Sequence, residues 1–302
     1  MAATRGKFSH LLVPGLAAIF FKNLKDRPVE YTKWCPTKTS RKAYEEEYKM
    51  TGLGQFVYKA EGAVYTFDEP IPGDTLRFTH LTYGLGFRVT KELLEDDLYS
   101  VMNKMSKELS RSAALNKEVL THSILNNAFS SSYVGYDSAA LCSDSHTLLN
   151  GSTGDNLVTG DFSESALQSA IELFEAFTDD RGYKVMVKPK YLVHSPGNIW
   201  EVNTVLKSEM QANSTDHNIN VIRTQFGIEP MLLHYLTDTD AWYLIADKGA
   251  IAEDNGARMY VRVNDQFSND DDPLTGDALF MGRHRLSAGF GDWRWIVGSA
   301  GV

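Results

Sequence analysis

The sequence predicts an α+β fold, and two observations carry that prediction. Residues 87–134 contain neither Gly nor Pro, and their apolar residues recur mostly at three- and four-residue spacing, which predicts a long helix over 90–129. Short runs of β-branched and aromatic residues, separated by turns, lie on both sides of it, within 51–89 and 256–302. Hydrophobic residues make up 43% of the 302 residues, which is enough for a substantial core.

The first 50 residues predict an N-terminal arm that is extended or loosely packed. Helix-like apolar spacing covers 11–24 and ends before Pro28, and 40–50 is a polar, helix-prone run. Residues 1–49 carry ten Lys and Arg against five Asp and Glu, whereas the whole chain has a net charge of −9. A basic segment of this kind is either a solvated tail or an arm that lies on an acidic neighbour or near nucleic acid, and both interpretations remain open.

Residues 51–89 predict a long two-stranded ribbon. Strand-like runs cover 56–58, 63–67 and 76–83, with polar turns at 59–62 and 70–74. An isolated ribbon is marginally stable in water, so we expect this one to lie on another surface.

The predicted helix over 90–129 is unusually long for a globular domain, at about 60 Å for roughly forty residues. Thr90 is a suitable N-cap. We therefore interpret this helix as a spine along which other elements pack. Its expected core residues are Leu94, Leu98, Val101, Met105 and Leu109.

After residue 129, the sequence predicts a compact unit of helices and strands and then a second strand-rich segment. A helix is expected over 163–178 with Ser163 as N-cap, and a shorter helix over 199–206. Strands are expected over 184–193, 219–223, 230–235 and 241–246, and then over 258–263, 279–287 and 293–297.

The sequence offers no catalytic, cofactor or metal site, so we expect a protein that is not an enzyme. Phosphate-loop, dinucleotide-binding and nucleophile-elbow patterns are absent. Asp144, Ser145 and His146 have the residue types of a hydrolase triad, but adjacent residues on one loop cannot form its relay geometry. Two cysteines a hundred residues apart form neither a disulfide framework nor a zinc site.

Arginine and tryptophan alternate near the C-terminus, at Arg283, Arg285, Trp293 and Arg294. That composition suits either a nucleic-acid surface or a subunit interface, and we favour the interface. No window approaches 18 consecutive apolar residues, so we expect no membrane span.

The order of these parts resembles the major capsid proteins of tailed phages with the Hong Kong 97-type fold, and more specifically the Mu-type major head subunit family. The resemblance rests on GFRVTKELLEDD at 86–97, on ALCSDSH at 140–146 with the Gly- and Asn-rich run at 151–157, and on RLSAGFGDWRWIVG at 285–298. It implies an N-arm at 1–50, an extended loop at 51–89, a peripheral domain at 90–159 with the spine helix, an axial domain at 160–255, and a return to the peripheral domain at 256–302.

The resemblance implies a virion protein that self-assembles into hexamers and pentamers of an icosahedral or prolate head around double-stranded DNA. Implied partners are other copies of the chain, portal and scaffolding proteins, decoration proteins and the packaged DNA, with assembly in the cytoplasm of a bacterial host and no membrane. Two rivals remain: an encapsulin-like compartment shell, and a cytoplasmic α/β hydrolase-like enzyme.

The resemblance also assigns residues to contacts between subunits. The extended loop would contribute Phe56, Tyr58, Lys59, Glu61, Tyr65 and Phe67. The arm would face a neighbour or DNA with Arg5, Lys7, Lys22, Lys25, Arg27, Lys33, Arg41 and Lys42.

Overall fold

The structure is a computed structural model that describes residues 9–95, 99–211, 219–253 and 256–301. Its helices are α1 (Ser9–Asp26), α2 (Lys91–Glu95), α3 (Tyr99–Asn126), α4 (Glu164–Ala176), α5 (Ile199–Lys207) and α6 (Lys248–Glu253). The strands of the first half are β1 (Thr37–Thr39), β2 (Tyr44–Met50), β3 (Pro72–Thr79), β4 (Leu81–Val89), β5 (His146–Thr147) and β6 (Thr153–Gly154). Those of the second half are β7 (Pro189–His194), β8 (Glu229–Leu232), β9 (Trp242–Ala246), β10 (Ala257–Asp271), β11 (Ala278–Phe290) and β12 (Ile296–Ser299).

The first sheet has the strand order β1-β10-β11-β4. Strands β10 and β11 form a long antiparallel hairpin, β4 pairs antiparallel with β11, and β1 pairs parallel with the start of β10. Helix α3 packs along this sheet and α1 packs on α3, where Ser106 Oγ donates to the carbonyl of Leu16 at 2.9 Å. The small core between them contains Leu16, Met102 and Phe280. Helix α1 is therefore an integral part of this subunit's own fold.

The second sheet has the strand order β12-β9-β7-β8 and forms the centre of the main core. All five residues of β9 are buried, because α4 and α5 cover a sheet whose other face also lies inside the protein. Trp34 stacks on Trp295 with ring centroids 6.4 Å apart. The segment after α1 is thereby fixed against the C-terminal part of the chain.

The main helices lie where the sequence predicts them. Ser163 Oγ accepts the N–H of Ala166 at 3.1 Å and so caps α4. Thr90 Oγ1 accepts the N–H of Leu93 at 3.3 Å at the start of α2. The predicted spine is present as α2 and α3, and residues 96–98 between them lie outside the described part. None of the described helices is long and apolar enough to cross a membrane.

Three predictions of secondary structure were wrong. The run at 40–50 contains strand β2, which pairs with β3, and not a helix. No regular strand occurs at 56–58 or 63–67, so the ribbon is shorter and lies at the base of a loop formed by 51–71. The strand predicted over 219–223 is instead the entry to a π-helical turn, Ile222–Phe226.

The physical reason for the first error is a set of long-range partners. Residues of β2 alternate between exposed and partly buried, and its inward-facing Glu47 accepts hydrogen bonds from buried Arg258 and from Tyr260. A glutamate-rich run favours a helix by local propensity. Partners more than two hundred residues away override that preference.

We predict that two truncations on α3 have different costs. Leu125→Ala should lower the free energy of unfolding by about 2–5 kcal/mol, because Leu125 is completely buried and the change leaves a cavity. Val119→Ala, at an exposed position of the same helix, should stay within about 0.5 kcal/mol of wild type. Urea denaturation of the unassembled subunit measures both, and equal costs would show that α3 does not pack as described.

Candidate assembly surfaces

The loop formed by 51–71 projects from the protein and buries almost none of its apolar side chains. Phe56, Tyr58 and Phe67 have relative exposures of 103%, 91% and 91%, and Val64 and Tyr65 are also exposed. Burying one such side chain is worth about 1.5–3 kcal/mol. The subunit alone does not gain this free energy, so the loop is a surface suited to a partner.

The tip of the loop is a tight polar turn, as the sequence predicts. Ala63 N–H donates to the carbonyl of Ala60 at 3.1 Å, and Gly62 has a positive φ of 77°. Lys59 Nζ lies 4.9 Å from the centre of the Tyr65 ring, which is a cation–π contact. Lys59 and Glu61 thus place charges at the tip beside exposed aromatic rings.

Three buried charges and the partly buried Lys49 join the base of this loop to the body. Arg294 donates to Asp292 Oδ2 at 2.6 Å and to Asp180 Oδ1 at 2.9 Å, and Lys49 Nζ lies 3.0 Å from Asp180 Oδ2. Burial alone would raise the pKa of Asp180, but the charges of Arg294 and Lys49 outweigh it and hold that pKa below its ordinary value. We call Lys49, Asp180, Asp292 and Arg294 the charge network. It ties β2, the turn after α4 and the segment before β12 together.

The C-terminal arginine and tryptophan residues do not form one surface, which corrects the interface we expected. Trp293 is buried and stacks on His146 with ring centroids 4.2 Å apart, and Arg294 is buried in the charge network. Arg285 is partly buried and donates to the carbonyl of His80, and Arg283 is exposed. Among these four residues, Arg283 is the one that remains fully available to a partner.

His146 takes part in a structural hydrogen-bond network and not in a hydrolase relay. Its Nδ1 lies 2.5 Å from Asp137 Oδ2, and its Nε2 lies 2.9 Å from Asn156 Oδ1. Ser145 Oγ instead pairs with Ser143 Oγ in a local turn. Within the part of the chain that the structure describes, no three His, Cys, Asp or Glu side chains are placed to hold a metal ion.

The basic arm residues that the resemblance assigns to a neighbour or to DNA are exposed wherever the structure describes them. The exposed set is Lys22, Lys25, Arg27, Lys33, Arg41 and Lys42. Arg5 and Lys7 lie outside the described residues. These side chains are exposed to a partner, although Lys42 also pairs with Glu45 at 3.2 Å and the helix that carries the first two packs on its own subunit.

The expected core of the spine helix is only partly realised. Leu109 is buried and Val101 is partly buried, but Met105 is exposed on the outer side of α3, which corrects its expected role. Leu98 and the Leu94 side chain lie outside the described part of the structure. Polar Ser106, Ser110 and Glu118 take buried positions instead, a pattern that apolar spacing cannot detect.

Sequence reasoning missed a second exposed apolar surface near α5. Trp200 is 84% exposed, and Ile219 and Val221, which flank Asn220 beside the end of α5, are also exposed. A signal was present in the sequence of α5, because its buried residues Val202, Val205 and Leu206 leave Trp200 on the opposite side of the helix.

Comparison with known proteins decides what these surfaces belong to. The family described as phage capsid protein matches residues 73–299. The chain belongs to the phage capsid protein family. It is a structural protein of a bacteriophage capsid. Among curated proteins, none matches the sequence.

Solved capsid structures share the fold of this capsid protein. The capsid of a native GTA particle aligns with a TM-score of 0.58 and 12% identity, over 90% of this chain and 91% of that chain. The procapsid of bacteriophage JBD30 aligns with a TM-score of 0.54 and 16% identity, over 98% and 76%. The capsid of cyanophage P-SCSP1u aligns with a TM-score of 0.56 and 8% identity, over 91% and 89%. The fold is therefore the Hong Kong 97-type capsid fold.

We predict that the charge network is essential to the capsid subunit's stability. Arg294→Leu should lower the free energy of unfolding by about 3–5 kcal/mol, because it leaves two buried carboxylates without their main cation. Arg283→Leu is the matched control, since Arg283 is exposed, and should change stability by about 0.5 kcal/mol or less. If chemical denaturation shows the two variants to be equally stable, the network does not hold the fold.

We also predict a pH signature for Asp180. A carboxyl whose pKa is depressed in the folded state stabilises the protein above its ordinary pKa of 3.8, and this contribution disappears as the pH falls through the folded-state pKa. Asp180→Asn should therefore be less stable than wild type at pH 7, and the difference should shrink as the pH approaches 3. Denaturation at a series of pH values measures it, and a difference that does not vary with pH would contradict the assignment.

Proposed function

We propose that this capsid protein assembles into hexamers and pentamers of a phage head by laying the loop 51–71 on a neighbouring copy. The observation that carries the proposal is the row of exposed aromatic side chains at Phe56, Tyr58, Tyr65 and Phe67. A body with a complete core does not need these side chains, and a second copy of the chain would bury them.

The exposed surface near α5 supports contacts between copies at a second place. In the domain assignment that we propose, residues 160–255 are the axial domain, and Trp200 and Val221 are exposed within it. Tryptophan is enriched in the buried centres of interfaces. We propose that these side chains meet their counterparts around the axes of hexamers and pentamers.

The charges suggest how other partners are held. Residues 1–49 have a basic excess, whereas the rest of the chain carries 20 Lys and Arg against 34 Asp and Glu. We propose that the exposed basic side chains of the arm lie on the acidic body of a neighbour or face the packaged double-stranded DNA. Portal, scaffolding and decoration proteins are the further proposed partners, with assembly in the cytoplasm of the bacterial host.

The role that we propose is structural and non-enzymatic. The family match does not favour the encapsulin-like shell or the hydrolase-like enzyme. The local partners of His146 and Ser145 support a structural explanation for the one triplet whose residue types resemble a catalytic triad.

We predict that the loop aromatics are needed for assembly but not for folding. The double variant Phe56→Ser with Phe67→Ser should leave the unfolding free energy of the subunit within about 0.5 kcal/mol of wild type, because both rings are exposed. It should abolish shells, because each loop loses roughly 3–6 kcal/mol of burial in the assembly. Electron microscopy and sedimentation velocity measure the assembled fraction.

The matched control is Leu274→Ser in the turn between β10 and β11. Leu274 is 94% exposed, so the substitution removes an equally exposed apolar side chain at another place on the surface. We expect this variant to form shells as wild type does. Shells formed by the double loop variant at wild-type protein concentration would rule out the proposed role of the loop.

A further inference from the structure

The projecting loop is tied to the body at a second point beyond its base. At the base, Thr51 N–H donates to the carbonyl of Ile71 at 3.0 Å, and Ile71 N–H donates to Thr51 Oγ1 at 2.8 Å. Further out the two legs of the loop do not form strands. A loop attached at its base alone could swing about that point, so its direction requires another contact.

The turn after α4 is built to provide that contact. The Asp179 carboxylate accepts the N–H groups of Arg181 at 2.9 Å and Tyr183 at 2.8 Å, and Gly182 has a positive φ of 89°. Asp180 points inward to the charge network, which anchors the turn in the core. The next side chain, Arg181, reaches towards the loop. The turn therefore has an anchored inner side and an outer side that faces the loop.

Arg181 binds one leg of the loop with both arms of its guanidinium. Its Nη1 donates to Asp68 Oδ2 at 2.8 Å, and its Nη2 donates to the carbonyl of Glu69 at 2.7 Å. The Arg181 side chain is only 17% exposed. Two directional hydrogen bonds from a planar, largely buried group fix orientation as well as distance.

Asp68 connects this contact to the other leg. Its Oδ2 also accepts the N–H of Gly54 at 2.7 Å, and Gln55 N–H donates to Tyr183 Oη at 3.2 Å. The N–H of Gly54 and the charge of Arg181 hold the pKa of Asp68 below its ordinary value, although partial desolvation opposes them. The carboxylate therefore stays ionised at neutral pH and bridges both legs to the turn.

We propose that Arg181 is a positioning residue for assembly, and that its contact with Asp68 and Gly54 fixes the direction of the loop before a neighbouring subunit is engaged. The inference rests on the proposed function of the loop. Its physical basis is preorganisation: a loop already held in its docking direction does not lose that conformational freedom at the moment of assembly. The entropic cost of ordering the loop is therefore incurred when the subunit folds and not when it assembles.

The test compares Arg181→Ala with Arg181→Lys and with Asp68→Ala, each in the full chain. Arg111→Ala is the matched control, since Arg111 also pairs with an acidic residue, Glu108 at 3.6 Å, but at an exposed position on α3. In the unassembled subunit, Arg181→Ala should raise hydrogen exchange at the Gly54 and Gln55 amides about tenfold, which corresponds to the loss of a charge-assisted hydrogen bond. Exchange in the core strands should not change.

The variants should affect assembly in the same order as they affect hydrogen exchange in the loop. Arg181→Ala should raise the protein concentration at which shells form by about tenfold, and Arg181→Lys should restore little, because lysine cannot make the two-armed contact. The double variant Asp68→Ala with Arg181→Ala should be no worse than Arg181→Ala alone, because both changes remove one interaction. The Arg111→Ala control should behave as wild type.

The outcomes separate this inference from the proposed function. If Arg181→Ala and Asp68→Ala keep wild-type exchange in the loop, or assemble at wild-type concentration, the positioning role is overturned. It is also overturned if exchange rises equally throughout the protein, because Arg181 would then hold the fold and not the loop. If wild type and Arg111→Ala never form shells, the proposed function fails, while loop exchange still tests the contact.

Discussion

The buried charge network is the constraint on which the rest of the structure depends. Lys49 lies on β2, Asp180 follows α4, and Asp292 and Arg294 precede β12, so three segments far apart in sequence meet at one point. Buried charges are tolerated only when each is paired and hydrogen-bonded. This requirement makes the network an all-or-none arrangement that fixes the ribbon base, the turn and the C-terminal segment relative to one another.

The network explains how a subunit with a complete core can hold a loop whose apolar side chains are exposed. The body buries Trp34, Trp242 and Trp295 completely and so has a core of its own. The loop buries almost nothing, and a free segment of its composition would collapse onto any apolar surface. Because the turn that holds the loop is itself anchored by Asp180, the aromatic row is kept away from the subunit's own core and presented outward.

Much of the fold could be predicted from the sequence where local rules decide it. Helix α4 with its cap at Ser163 and the long segment of α3 follow from periodicity and capping. Strand β2 could not be predicted, because its Glu47 accepts hydrogen bonds from Arg258 and Tyr260 at the other end of the chain. Long-range partners of this kind leave no trace in local propensity.

The assembly surfaces could likewise be predicted only in part from local sequence. The loop aromatics stand out because residues 51–71 offer no local core, so the expectation of a surface there came from composition. Trp293 and Arg294 have the composition of an interface, but His146, Asp180 and Asp292 satisfy them inside the subunit. Composition alone does not distinguish a side chain that is paired within the subunit from one that is exposed for contact with another molecule.

The distribution of apolar and polar surface also favours ordered assembly over aggregation. Strand β1 pairs with β10 only through Thr37–Thr39, so within the described residues the later part of β10 forms an open sheet edge. Its outward residues are Asn264, Gln266, Ser268 and Asp270, all exposed and polar. Open edges favour strand pairing between molecules, and polar or charged residues disfavour it.

Exposed apolar surface is instead placed on a loop of fixed direction and near Trp200. Contact between copies is thereby directed to side chains that can dock in a defined geometry, whereas backbone pairing at the edge, which would tolerate many registers, is disfavoured.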